Sequence, residues 1–315
     1  MKAIVTGGAG FLGSHLCEYL LTKGYEVLCI DNLLTSDGSN IEKFEGKPGF
    51  RFLRYDITNK LPEELTADEI YHLASPASPN IHSPKGYHTL AFETMLANTT
   101  GTWNLCELAV KNKAKFLFAS TSETYGDPLE HPQKETYRGN VSTTGPRAVY
   151  DEAKRFGETI TSAFIRSKGL DGRIIRIFNT YGPNMSIDDG RVVTEFIKAS
   201  FANQPLPIFG DGTQTRSFCY VSDLIEGIFL SMTKENTKNE VINLGNPNEF
   251  TILELADLII KLTKATSKEI KEKLPEDDPL QRCPDITKAK NLLGWKPKIN
   301  LEEGLKKTIE FFSAE

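Results

Sequence analysis

The sequence predicts an α/β fold: a doubly wound parallel sheet with a smaller, mixed α/β region towards the C-terminus. Three observations carry this. Short apolar runs alternate with helical stretches through the first half, a glycine-rich turn follows the first run, and an acidic residue closes the second. Such alternation gives a parallel sheet covered on both faces.

The first element reads most clearly. Ala3-Ile4-Val5-Thr6 is a buried strand, Gly7 to Gly13 a turn, Ser14 to Lys23 a helix, and Glu26 to Ile30 a strand ending at Asp31. Gly7 allows the tight turn, Gly10 lets the backbone approach a pyrophosphate, and Gly13 lets helix and strand pack closely. Phe11 and Leu12 lie at the helix N-terminus, where free N–H groups and the positive dipole end favour phosphate. Asp31 lies 18 residues past Gly13. There a carboxylate accepts hydrogen bonds from both ribose hydroxyls and repels a 2′-phosphate. The pattern predicts a Rossmann-type site for NAD rather than NADP.

Further strands are expected at 50–55, 69–73, 115–120 and 172–178, and helices at 88–112 and 148–168. Both of these helices carry apolar and small residues that suit either the core or a face exposed to a partner subunit, and the second reading is favoured. After residue 180 the pattern changes. A helix at 191–203 leads into a turn-rich stretch, Pro205 to Gly212. Ser222 and Asp223 are placed to cap a helix running to Met232. Val241 to Leu244 is an apolar strand. Thr251 and Glu254 form a capping box, 275–284 reads as an acidic loop, and the last helix starts near Leu301. Residues 1–180 are expected to hold the dinucleotide, with a return to that sheet from 213–245. Residues 181–315 mainly hold the other ligand.

Composition narrows the function classes. The 315 residues carry a net charge of −5 with both signs interspersed, which excludes the footprint of a nucleic-acid binder. No apolar run approaches the roughly 20 residues that span a bilayer. The first strand begins at residue 3, so a cleaved leader is not expected. The five cysteines are scattered, odd in number and free of any Cys-x-x-Cys pair. They read as reduced thiols of a cytoplasmic protein. The five histidines have no partners at ligand spacing, so no metal site is expected.

Tyr150 and Lys154 are spaced i, i+4 on a predicted helix and share a face. A nearby ammonium and a bound nicotinamide cation both favour the phenolate, bringing the tyrosine towards the pH range of a general base. The strand ending Phe118-Ala119-Ser120 runs into Thr121-Ser122-Glu123. In open α/β sheets ligands bind beyond the strand C-termini, so these three side chains project into the site.

With these pieces assembled, the chain resembles the extended short-chain dehydrogenase/reductases that modify nucleotide sugars. His72 to Pro79, Gly145-Pro146-Arg147 and Arg176 to Pro183 are similar to the UDP-glucuronate decarboxylase (UDP-xylose synthase) branch. So are Asp189 to Val193, Gln214 to Phe218, Leu244 to Pro247, and Pro275 to Pro279 with Gln281-Arg282. Dehydratases of this group usually carry Thr-Asp-Glu where this chain has Thr121-Ser122-Glu123, and many 4-epimerases carry a small residue at Glu123.

The resemblance implies NAD as cofactor, a UDP-sugar as substrate, and a homodimer built on a four-helix interface. Tyr150 takes the proton from sugar O4 as C4 is oxidised. The resulting β-keto acid loses CO2, O4 is held by Tyr150 and Thr121, and the reduced cofactor restores C4. It further implies that Ser122 and Glu123 orient the carboxylate and that Arg282 binds it or assists reprotonation. Asn32, Asp56 and Ile57 contact the adenosine half. Leu73, Ala74, Ser75, Ala119 and Thr180 line the NAD channel. Asn179, Arg191, Gln214 and Arg216 hold the UDP moiety. The chain departs from the family at Ser83 to Thr89, Ala97 and Thr143-Thr144. The exact uronic acid therefore stays open between glucuronate and an N-acetylated relative. A 4-epimerase or 4,6-dehydratase stays an alternative activity.

Overall fold

Strand and helix alternate through the first half as the apolar runs require. The computed structural model describes residues 1–81, 83–273 and 281–314. In order come β1 (Lys2–Thr6), α1 (Phe11–Thr22), β2 (Glu26–Asp31), α2 (Ser39–Glu42), β3 (Phe50–Arg54) and β4 (Glu69–His72). Then follow α3 (Ala91–Leu96), a π-helical turn (Ala97–Gly101), α4 (Thr102–Asn112), β5 (Lys115–Thr121), a 3-10 turn (Ser122–Tyr125), α5 (Ala148–Lys168) and β6 (Asp171–Ile177). The second half contributes β7 (Thr180–Tyr181), α6 (Val192–Phe201), β8 (Leu206–Phe209), β9 (Thr215–Ser217), β10 (Cys219–Tyr220) and α7 (Val221–Thr233). It closes with β11 (Val241–Leu244), β12 (Glu249–Thr251), α8 (Ile252–Thr263), β13 (Glu269–Glu272), β14 (Gln281–Arg282), α9 (Thr287–Leu293) and α10 (Leu301–Ala314).

The main sheet has seven strands in the order β11-β6-β5-β4-β1-β2-β3, all parallel. Side chains alternate across it. Ile4, Phe116 and Phe118 enter one core with Leu105, Ile160 and Phe164, while Val5 and Leu117 enter the other with Leu16 and Ile228. This two-sided burial is what a parallel sheet demands. The chain order diverges from β1 to both sides, through β2 to β3 and through β4 to β5 and β6. The crevice between the C-terminal ends of β1 and β4 is where such sheets bind ligands.

Three expectations are corrected. The helix foreseen at 88–112 is instead α3, the π-helical turn and α4. Side chains enter its backbone ladder there: the Thr102 hydroxyl donates to the Asn98 carbonyl at 2.7 Å, and the Asn98 amide to the Thr94 carbonyl at 2.8 Å. The turn-rich stretch 205–212 contains β8, which pairs in parallel with β13. Asp223 does not cap α7, whose N-cap residue is Tyr220, with no side-chain capping bond among the described residues. Its carboxylate instead accepts the Lys298 and Ile299 N–H groups at 2.8 Å, and so anchors the segment before α10. The capping box of α8 forms as expected. The acidic stretch Pro275 to Pro279 lies outside the described residues. Among the described residues no helix is long and apolar enough to cross a membrane.

Candidate active site

The turn after β1 is set by close approaches. Gly7 has φ +72°, and a Cβ there would lie 2.7 Å from Ala74 Cα. A Cβ on Gly13 would stand 2.0 Å from the Gly7 carbonyl oxygen. Only glycine fits either place. Gly10, the N-cap of α1, meets no atom nearer than 3.3 Å. Among the described residues no side chain caps this helix and no acid lies in its first turn, so its N–H groups face an approaching anion. At the end of β2, Asp31 accepts the Ala9 N–H at 3.1 Å and the Leu33 N–H at 2.9 Å. Burial raises its carboxyl above the usual range, and these two bonds oppose that. Beside it the Asn32 amide donates to Asp56 at 3.1 Å.

This turn opens into a cleft of about 1320 Å³ over the C-terminal ends of the strands. Every candidate residue proposed from sequence borders it, from Gly7, Gly10, Phe11, Leu12 and Gly13 through Ile57, Leu73, Ala74 and Ser75 to Arg282. Sequence-distant segments meet there because β1, β2, β4, β5 and β6 all end on the same side of one parallel sheet.

Tyr150 and Lys154 lie on the inner face of α5, both buried. The Lys154 ammonium donates to the Ala119 carbonyl at 2.8 Å and sits 5.7 Å from the Tyr150 ring centroid. Burial draws the lysine down to about 7, with Glu158 opposing. The lowering expected of the Tyr150 phenol applies with a nicotinamide cation bound beside the ammonium; the protein's own groups act on the phenol differently. Burial pushes it up to about 12, against the pull of Arg191 and of a hydrogen bond with Thr121. Desolvating the anion, with the Glu123 charge adding to it, outweighs Arg191 and the Thr121 hydrogen bond.

Glu123 sits at the start of the 3-10 turn after β5, between two guanidinium groups. Its Oε2 accepts from Arg147 at 2.6 Å, and its Oε1 accepts from Arg282. Burial alone would raise this carboxyl, but Arg147 and Arg282 hold it at about 2. Arg282 also donates to the Gly126 carbonyl at 3.2 Å. Asp151 is the reverse case. Burial and the Glu123 charge push it up to about 8, and its Oδ1 has no partner among the described residues. Ser122 is buried beside Glu123.

The remaining candidates are held by the protein itself. Arg191 donates to the Ala77 carbonyl at 3.0 Å, Gln214 to the Phe209 carbonyl at 2.7 Å, and Arg216 to the Thr215 carbonyl at 2.9 Å. Thr180 donates to the Phe178 carbonyl at 2.9 Å. Asn179 borders the cleft where its own carbonyl accepts the Cys219 N–H. Sequence reasoning assigned no role to Tyr87, Arg147 or Asp151. Tyr87 stacks on Tyr150 with centroids 5.0 Å apart and planes at 13°. Arg147 had a signal in the Gly-Pro-Arg stretch, and Asp151 in its place next to Tyr150.

A glycine cradle without a cap, an acid at the end of β2 and a Tyr–Lys pair share one cleft. They define an α/β protein that binds a dinucleotide and does redox chemistry on a second ligand. The chain belongs to the NAD dependent epimerase/dehydratase family, whose model matches residues 3–245. UDP-glucuronic acid decarboxylase 1 of Arabidopsis thaliana is 47% identical over 99% of this chain and 70% of that protein. The Danio rerio protein of the same name is 48% identical over 100% of this chain and 73% of its own length. Among solved structures, UDP-glucuronic acid 4-epimerase of Bacillus cereus, in complex with UDP-glucuronic acid and NAD, has a TM-score of 0.88. It is 31% identical, with 100% of this chain and 99% of that chain covered.

Proposed function

We propose that the protein is an NAD-dependent carboxy-lyase that converts UDP-glucuronic acid to UDP-xylose. The observation that carries this reading is Glu123, held by Arg147 and Arg282 in the cleft of Tyr150. Relatives named as decarboxylases match nearly the whole chain at 47–48% identity.

Gly7, Gly10 and Gly13 with the α1 N-terminus would hold the pyrophosphate of NAD, and Asp31 and Asn32 its adenosine ribose. Leu73, Ala74, Ser75, Ala119 and Thr180 would flank the remainder. When bound, NAD would supply hydride acceptance from sugar C4 and the return of that hydride to C4 once C5 is protonated. Tyr150 takes the proton from the C4 hydroxyl, and Thr121 keeps its hydroxyl against the same oxygen. Lys154 and the positive charge of a bound nicotinamide would together favour the phenolate. Once C4 is a ketone, the C5–C6 bond breaks, CO2 leaves, and the electron pair moves to O4. Tyr150 and Thr121 hydrogen-bond that oxyanion, and C5 then takes a proton. Ser122 and Glu123 orient the carboxylate. Arg282, already paired with Glu123, would reach the carboxylate only by sharing that bond. Asn179, Arg191, Gln214 and Arg216 would hold the UDP moiety.

The test is a mass-spectrometric assay of purified protein with UDP-glucuronate and NAD. A product lighter by one CO2 supports the reading, with NMR identifying the pentose. An isobaric product would replace it with 4-epimerisation.

The described surface also favours a second copy as partner. Phe92 and Leu96 on α3, Trp103 on α4 and Phe156 on α5 are large, apolar and exposed. The continuous α3–α4 run packs on α5, so two helical segments from each copy would meet as a four-helix interface. Light scattering would read a dimer, and Trp103→Glu would shift it to monomer. The five buried, unpaired cysteines suit a reducing compartment such as the cytoplasm.

A further inference from the structure

The histidines have no ligand spacing in sequence, yet folding brings one of them to a cysteine and a carboxylate. His131 lies in the loop between β5 and α5, Glu249 opens β12, and Cys283 follows β14. β12 and β14 flank β9 in one three-stranded sheet. The His131 Nε2 is 2.9 Å from Glu249 Oε2. An imidazole nitrogen of His131, a carboxylate oxygen of Glu249 and the Cys283 sulfur all lie within 4.8 Å of one another.

We propose that His131, Glu249 and Cys283 form a binding site for a thiophilic divalent cation, Zn2+ by the chemistry of its donors. Imidazole nitrogen, carboxylate oxygen and thiolate sulfur are the three donor types zinc takes. Around a tetrahedral zinc with bonds of about 2.0–2.3 Å, ligand atoms stand roughly 3.3–3.8 Å apart. Side-chain rotation of about an ångström therefore closes the set around one ion.

The supports are already in place. The second Glu249 oxygen accepts the Thr215 hydroxyl at 2.6 Å, the kind of outer bond that fixes a ligand's orientation. The Cys283 backbone is clamped to Gln133: its N–H donates to the Gln133 side chain at 2.8 Å, and its carbonyl accepts the Gln133 N–H at 2.8 Å. His131 is partly exposed, with 36% of its side chain accessible, so the fourth position opens to solvent. On binding, the thiol proton passes to solvent and the thiolate takes the metal.

None of the three residues borders the catalytic cleft, but Cys283 adjoins Arg282, the partner of Glu123. The ion would tie the strand that presents Arg282 to β12.

The experiment uses the reduced, chelator-treated full chain and Co2+ as a spectroscopic probe, followed by Zn2+. Wild-type protein is expected to show a thiolate-to-cobalt charge-transfer band that one equivalent of Zn2+ removes. Zinc should survive gel filtration at close to one equivalent. Cys283→Ser should abolish the band, and His131→Ala should weaken zinc binding at least about tenfold. Circular dichroism of both variants shows whether they are folded. Absence of the band in wild-type protein overturns the proposal without any variant. So does a band that survives Cys283→Ser, or one indifferent to His131→Ala.

Discussion

The ring of Tyr87 lies on that of Tyr150, with centroids 5.0 Å apart and planes within 13° of parallel. The Tyr87 hydroxyl is buried without a hydrogen-bond partner among the described residues. Burying such a group costs free energy that a phenyl ring would not. Tyr87→Phe is therefore expected to unfold no earlier than wild type, and to gain up to about 1 kcal/mol. Tyr87→Ala removes the stacked wall as well and is expected to lose about 3–5 kcal/mol, with a lower kcat. Thermal melts and steady-state rates of both variants check this. A destabilised phenylalanine variant would mean the hydroxyl has a partner in solution.

Tyr150→Phe keeps the ring but removes the proton acceptor. Turnover is expected to fall about 10²–10⁴-fold, the usual contribution of a positioned general base, while NAD still binds. Fluorescence titration with NAD beside the product assay separates the two effects. Wild-type turnover in this variant would remove Tyr150 from the mechanism.

Glu123 predicts an acid-sensitive clamp. Its carboxyl falls from 4.5 to about 2 on folding. A carboxyl lowered on folding stabilises the folded state above its unfolded pKa, and that stabilisation is lost as pH falls through the folded value. The stability gap between wild type and Glu123→Gln should be full above about pH 4.5 and shrink towards pH 2. Near neutrality the gap is expected at about 3–5 kcal/mol, as for breaking a buried ion pair. Urea unfolding at several pH values measures it. A gap that does not change with pH would contradict the clamp.

Asp151 has the opposite sign. Its carboxyl rises from 3.8 to about 8, so ionising it penalises the folded state. The penalty is absent below about pH 3.8, grows as pH rises, and is complete above about 8. Asp151→Asn should match wild type near pH 4 and melt higher at pH 8. Equal melting temperatures at both would show that Asp151 finds a cationic partner in solution.

Local rules made much of this legible. The glycine turn, the acid at Asp31, the Tyr150–Lys154 spacing and the capping box of α8 each depend on neighbours within one element. The strand ends converge because a parallel sheet leaves no other place for them. What stayed hidden depends on distance in sequence. β8 is a strand because β13, some 60 residues later, pairs with it. Asp223 looks like a cap until Lys298 and Ile299 arrive to take its carboxylate. The rise at Tyr150 follows from the burial of that one side chain on the inner face of α5, which spacing does not report.

The π-helical turn at Ala97–Gly101 has a consequence for how this chain tolerates length changes. A wide turn holds one residue more than an α-turn. Deleting a single residue there would let the ladder close as an ordinary helix, with little loss of helical hydrogen bonding. It would also swing everything before it by about 100° around the axis. The Asn98 amide, now 2.8 Å from the Ser75 hydroxyl, would leave it, and α3 would present a different side to the cleft. The extra residue thus acts as a phase shifter between two helices, and the shape of the ligand cavity depends on its being counted in.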